Sequence, residues 1–452
     1  MNLYTRFPSI FWNTACLAVE SGSLEVSEFD DIDIELLEET KENTTNYGKI
    51  STAVANIKNQ GVNIALPNIN KAGLSFSPDV ENNEILFGLK GITRIGENIV
   101  EEIIYNRPYN SIKDVMKKVH LNIIQATMLI KAGCFDTFGE RSDIMKDFLY
   151  STIEKKNKIT LQNFNQLIEK ELLPEELEKE RRLFLFNKYI KKNKRNNNKE
   201  YAIIGENANK YFTENYDNDL ISIDAETQEY RIAAEKWDKI YKKGMDKARD
   251  YLKIHTDEII NKMYEIEFNE LWNKYANGNY SKWEMEALNF YYHDHELAHI
   301  PAAAYGFVNF ANLPIEPIVE STFIKGNKTI PLFRLNRIVG TVINKDKTRH
   351  TVTLLDMFNN VVTVKFFGEQ FGVYDKRISE VQKDGTKKVI EKGWFTRGNK
   401  LVVQGIRRED NWIPKKYAKT PYHTVYIIDD IQGETLVTRY ERKKGIEEEE
   451  EE

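Results

Sequence analysis

Three stretches hold residue types whose spacing could do chemistry. The first is "TRIG", Thr93 to Gly96, directly before "ENIVEEII". Amides at a helix start lack intrahelical partners and carry the positive end of the helix dipole. A phosphate can sit there if the preceding turn is tight and free of bulk, which glycine allows. "DTFGE" followed by Arg141 repeats the arrangement further on. The second stretch is "DDIDIE", whose Asp31 and Asp33 have the type and spacing to hold two metal ions. The third is "HDHELAH", with His295 and His299 one helical turn apart and His293 beside them, a spacing that can bind zinc. Cys16 and Cys134 are distant in sequence and make no disulfide framework or thiolate metal site.

These stretches must be positioned by about three domains' worth of chain, 452 residues in all. Residues 1–19 read as a helix, and 20–42 as an acidic loop that holds Asp31 and Asp33. Residues 85–150 read as helices joined by short turns. Residues 151–300 read as long charged helices, interrupted by the basic, low-complexity "KKNKRNNNKE". From Pro301 the texture changes to "FRLNRIVGTVI", "HTVTLLDMF", "VVTVKFF", "KLVVQGIRR" and "HTVYIIDDI", five alternating strands that predict a small closed barrel. The fold class expected is multidomain α+β: a mainly helical body with tandem helix-hairpin-helix, followed by a C-terminal β OB barrel. No run is long enough to cross a membrane, and the N-terminus lacks the pattern of a signal peptide. The expected setting is the cytoplasm.

Charge is uneven. The net is −6, and the final residues, Glu447 to Glu452, are all glutamate. Residues 332–432 carry 19 Lys and Arg against 11 Asp and Glu. A basic module in an acidic chain points to a polyanion partner. Barrels of this kind bind single strands with a basic groove and stacking aromatics. The candidates are Lys345, Lys347 and Arg349 in a strand-joining loop, with Lys400, Arg407, Arg408 and Lys415 further on. Alternation sends one of Phe366 and Phe367 inward, and Phe366 is carried as the stacking candidate. For the hairpins the candidates are Thr93, Arg94, Ile95, Gly96 and Asn98, then Phe138, Gly139, Glu140 and Arg141. The turn is expected to need glycine at Gly96.

The run "GVNIALPNINKAGLSF", "GITRIGENIVEEII", "PYNSIKDV" and "LIKAGCFDTFGERS" resembles, in that order, the distal fingers and tandem helix-hairpin-helix of the alpha subunit of bacterial DNA polymerase III. "EMEALNFYYHDHELAHI" resembles that family's segment before its OB barrel. The resemblance implies a distal fingers remnant with an acidic insert at 1–75, hairpins at 76–150, a charged helical region with a mobile basic loop at 151–300, a linker at 301–330, the barrel at 331–432 and an acidic tail at 433–452. It departs in two places: Arg94 stands where the family has glycine, and Asp294-His295-Glu296 where it has Gly-His-Pro. In the family the palm carboxylates lie several hundred residues before the hairpins, so Asp31 and Asp33 read as an acidic loop. The histidines read as a helix and turn packed near the barrel.

The resemblance implies a DNA-binding part of a replicative polymerase, and a split viral polymerase is one version of it. It would grip duplex template–primer with the hairpins and single-stranded template with the barrel. No cofactor is expected in this chain; magnesium and the catalytic carboxylates would sit on a palm-bearing partner chain, and a sliding clamp is a further candidate partner. Phe7, Phe11 and Trp12 would dock on that palm. The rival readings are a replisome adaptor and a stand-alone single-stranded DNA-binding protein.

Overall fold

The structure, a computed structural model, describes residues 9–21, 46–154, 156–192, 199–217, 219–382, 386–419 and 421–443. Phe7, Asp31, Asp33, most of the basic low-complexity run and Glu447 to Glu452 lie outside the described residues. The chain forms two compact units, one of Met1–Phe148 with Tyr275–Glu452 and the other of Leu149–Lys274.

In the first unit, α1 (Ser9–Glu20) buries Ile10, Leu17 and Ala18 and lies against α2 (Tyr47–Asn59). The Asn46 side chain caps α2 by accepting from the Lys49 amide. Strands β1 (Asn63–Ala65), β2 (Ser77–Asp79) and β3 (Glu84–Leu86) form a small sheet with β3 central. Four helices follow: α3 (Glu97–Tyr105), α4 (Ile112–Lys118), α5 (Ile123–Lys131) and α6 (Arg141–Thr152). Local sequence sets their starts. Ser111 caps α4, and Asn122 with Gln125 makes a reciprocal capping box on α5. After the second unit the chain returns as α7 (Tyr280–Ala287), which packs on α5.

The barrel strands are β4 (Asn336–Asp346), β5 (Thr351–Asp356), β6 (Val361–Lys365), β7 (Lys400–Arg408) and β8 (Asn411–Pro414). They close in the order β4-β5-β6-β8-β7, with β7 antiparallel to β4 and β8 parallel to β6. Helix α8 (Gly368–Asp375) follows the third strand. This is the five-stranded Greek-key OB arrangement. Val352, Leu354, Val362, Val364, Leu401, Val403 and Trp412 alternate into its core with Trp394 and Phe395.

Three sequence expectations change here. The strand that closes the barrel is the short "NWIP", whereas "HTVYIIDDI" forms β9 (Val425–Gln432), which pairs with β7 and continues the sheet into β10 (Thr435–Arg439). Four residues give too little alternation to be read as a strand, and it is pairing on both sides that fixes them. The 301–330 stretch is not only a linker: Val319–Lys325 and Lys328–Phe333 form an exposed hairpin. The second unit is not purely helical either. A four-stranded antiparallel sheet, of three- and four-residue strands, packs with its helices around Phe164, Phe212, Trp237 and Met263.

Candidate nucleic-acid interface

The first hairpin runs from a single 3-10 turn, Leu89–Gly91, through residues 92–96 into α3. Two of its glycines are packing glycines. A Cβ on Gly88 would stand 2.4 Å from the Ser75 carbonyl carbon, and one on Gly91 2.8 Å from the Phe87 ring. Gly96 differs. It precedes α3 in extended backbone (φ −82°, ψ 164°), supplies no side-chain cap, and a Cβ there would meet nothing within 4 Å. The expectation that the turn requires glycine at this position is corrected: what Gly96 leaves is open space beside the first amides of α3. The left-handed residue is Arg94, at φ +66° and exposed. Ile95 is buried and anchors the turn, so its side chain is not a DNA contact, while Asn98 is exposed. Glu97, in the first turn, would repel a phosphate, but Lys90 forms an ion pair with it.

The second hairpin runs from α5 through residues 132–140 into α6. Gly139 and Glu140 are exposed, and Phe138 is half-buried beside Phe135. Gly139 has φ +151°, a backbone that L side chains rarely adopt. Arg141, expected on the DNA, is buried. Its guanidinium pairs with Asp136 at 2.6 Å and Glu284 at 3.1 Å, donates to the Lys131 carbonyl and lies over the Tyr280 ring. A guanidinium so engaged holds the fold together rather than reaching a ligand.

One segment braces both turns. The Thr93 amide donates to the Ala287 carbonyl (2.8 Å), and the Asn289 side chain donates to the Thr93 hydroxyl (3.1 Å). Glu284, fully buried, accepts from Arg141 and from the amides of Tyr292 and His293 (both 3.0 Å), and contacts the His293 ring at 2.6 Å. Lys131 pairs with Glu286. Sequence reasoning missed Glu284 and Asn289. The available signal was a glutamate inside the apolar run Trp283, Met285, Ala287, Leu288, a placement that implies a buried charge needing a partner.

The three histidines diverge. His293 goes to Glu284, His299 to the Gly433 carbonyl, and buried His295 to the Leu355 carbonyl, with its other ring nitrogen accepting from the Leu297 amide. Burial drives the His295 pKa down to about 3, so the ring is neutral. Among the described residues no three His, Cys, Asp or Glu side chains gather to hold a metal ion.

The barrel candidates divide in the same way. Phe366 is 3 % exposed in the barrel core, and Phe367 is 69 % exposed, so the stacking candidate is the neighbour of the residue expected. Lys400 pairs with Glu296 at 2.9 Å, in a network where the Tyr291 hydroxyl meets Thr341. Arg407 donates to the carbonyls of Phe310, Leu313 and Glu409 and stacks on the Phe310 ring, tying down the segment that enters the barrel. Lys415 lies over the Phe333 and Tyr417 rings. Lys345 pairs with Asp375, and Lys347 reaches the same carboxylate at 3.9 Å. Lys347, Arg349, Lys365 and Arg408 remain exposed. Strand register puts Lys365 opposite Thr351, and the Phe366 amide donates to the His350 carbonyl, so Arg349, Lys365 and Phe367 share one end of the barrel. The outward face of β4 and β5 is occupied. Helix α2 lies on it, with Ala55, Met285 and Tyr291 packed on Ile343 and Leu355.

A helix-hairpin-helix family model matches residues 61–144, the stretch that holds both turns. A probable DNA polymerase YorL of Bacillus subtilis and a DNA-directed DNA polymerase of Bacillus phage SPbeta are each 38% identical over 448 residues, 96% of this chain and 33% of the relative. The chain thus spans about a third of the length of these curated relatives. DNA polymerase III alpha subunits match over shorter stretches, that of Thermus aquaticus at 28% identity over 104 residues (22% of this chain, 8% of the relative) and that of Treponema pallidum at 37% over 98 residues (20% and 8%). Among the described residues no helix is long and apolar enough to cross a membrane. Over nearly its whole length the chain is thus similar to about a third of two DNA polymerases, and over shorter stretches to bacterial DNA polymerase III alpha subunits, with the helix-hairpin-helix within it.

Proposed function

We propose that this chain is the DNA-binding portion of a replicative polymerase of the DNA polymerase III alpha type. The two hairpins hold the backbone of duplex template–primer, and the end of the barrel formed by Lys347, Arg349, Lys365 and Phe367 guides single-stranded template. A palm outside this sequence supplies the magnesium ions and their carboxylates. The complex works in the cytoplasm of a bacterium or an infected cell, and a sliding clamp is its further partner.

The observation that carries this reading is the pair of turns before helices, exposed at Arg94 and Gly96 and at Gly139 and Glu140, braced by one segment, through Asn289 on the first turn and Glu284 on the second. Amides at helix starts bind phosphate without reading bases. Bracing both from one segment fixes their spacing, as a regular backbone requires. This reading expects duplex to bind more strongly than single strands, which a stand-alone single-strand binder would not show.

Gly96→Val tests it cleanly, because valine fits the extended backbone and the empty space at this position. The variant is expected to fold with unchanged thermal stability and to lose duplex affinity at least several-fold. Unchanged duplex affinity in the folded variant would remove this turn from the interface.

A further inference from the structure

A second basic surface lies beside the barrel, and no residue of the hairpins contributes to it. It is a cleft of about 930 Å³ between the β4–β5 loop, α8 and residues 392–396. Among the described residues its charged lining is Lys345, Lys347, Lys376, Arg377 and Lys392 against the carboxylate of Asp375. Lys347, Lys376, Arg377 and Lys392 are exposed, and Asp375 is already shared by Lys345 and Lys347. The floor includes Phe371 and the backbone at Gly372 and Gly393. Such a cleft attracts an extended polyanion.

The C-terminal segment is delivered to its rim. Arg442 donates to the carbonyls of Lys376 (2.6 Å) and Lys392 (3.3 Å), the same two residues whose side chains line the cleft. It also donates to the carbonyls of Val373 and Tyr374 and pairs with Glu391 at 2.7 Å. The Lys443 amide donates to Glu391 as well. Glu391 is itself held firmly. Burial alone would raise its pKa, but hydrogen bonds from Trp394, Arg442 and Arg439 bring it down to about 2. Beyond this anchor come residues 444–452, ending in six consecutive glutamates. Nine residues reach about 30 Å when extended, enough to cross the cleft from its rim.

We propose that the glutamate run, Glu447 to Glu452, docks in this cleft as an intramolecular polyanion. Docked there, it competes with nucleic acid for Lys347 and its neighbours, so that single strands enter the barrel end only by displacing the tail. The docking stands on the cleft, the anchor and the opposite charges; its effect on single strands rests on the function proposed above.

Two measurements on the full chain separate the two. In the first, all six glutamates are changed to glutamine and the affinity for an oligo-dT strand is compared with that of the original chain. The variant is expected to bind about ten-fold tighter at low salt, with the difference closing as salt rises, since both contacts are screened. In the second, a fluorescent peptide of residues 443–452 is titrated onto the glutamine variant. It is expected to bind at low salt, and to stop binding in a variant that adds Lys376→Glu and Arg377→Glu. A peptide that does not bind, or binds equally after those reversals, overturns the docking. If the peptide binds as expected but neither chain binds oligo-dT, the docking stands and the single-strand role of the barrel falls.

Discussion

At Arg94 and Arg141 the same side-chain type has two different jobs. Arg94 is exposed in left-handed backbone at φ +66°, which costs an L residue about 1–2 kcal/mol. Arg94→Gly is expected to raise the unfolding free energy by about 1 kcal/mol in urea titrations, while lowering duplex affinity through loss of the charge. A variant that is less stable would mean the strain is relieved by interactions of the arginine itself. Arg141 is buried against Glu284 and Asp136. Arg141→Met strands the Glu284 carboxylate, a loss of about 3–5 kcal/mol, and Glu284→Gln in the same chain should recover part of it. Destabilisation below about 1 kcal/mol, the size expected of a solvent-exposed pair, would return Arg141 to the DNA-facing surface. The sequence shows that both arginines flank hairpin turns. It does not show which one finds a carboxylate 143 residues away.

Among the elements, the hairpins and the barrel were legible because their signals are local. Glycine before an apolar helix marks the hairpins, and period-two alternation marks four of the five barrel strands. What was not legible depends on long-range packing. "NWIP" is a strand because β6 and β7 flank it, and α2 covers part of the barrel because Ala55 meets Leu355. Phe366 turns inward because it continues the core side of β6 after Val362 and Val364. The 284–299 brace joins all these parts, and its His295 gives a pH signature. Burial takes its pKa from the ordinary 6.5 to about 3 in the fold. The unfolded chain therefore takes up a proton below about pH 6.5 that the folded chain refuses, and stability must decline as pH drops from 6.5 toward 3. Glu391, with its lowered pKa, adds a further loss only below about 4.5. Urea unfolding between about pH 7 and pH 5 should show this slope in the original chain and a flatter one in His295→Asn; equal slopes would contradict the buried, neutral ring. For the barrel end, Lys347→Glu with Arg349→Glu should reduce the log–log salt slope for oligo-dT by about 0.7 for each phosphate no longer neutralised and leave the duplex slope unchanged. Equal changes on both substrates would mean the two modules are wrongly assigned.

For the molecule as a whole, the central claim is a division of labour: duplex at the two helix starts, single strand at the barrel end. Photocrosslinking tests it most directly. Cys16→Ser removes the one partly accessible thiol, Cys134 being buried, and a cysteine placed at Asn98, Glu140 or Phe367 then carries an azidophenacyl group. A primer–template with a single-stranded overhang is bound and irradiated, and the crosslinked nucleotides are mapped. Crosslinks are expected from positions 98 and 140 to the backbone of the duplex part and from position 367 to the overhang. Crosslinks from 98 and 140 to the overhang, or none from either to duplex at low salt, would contradict the division.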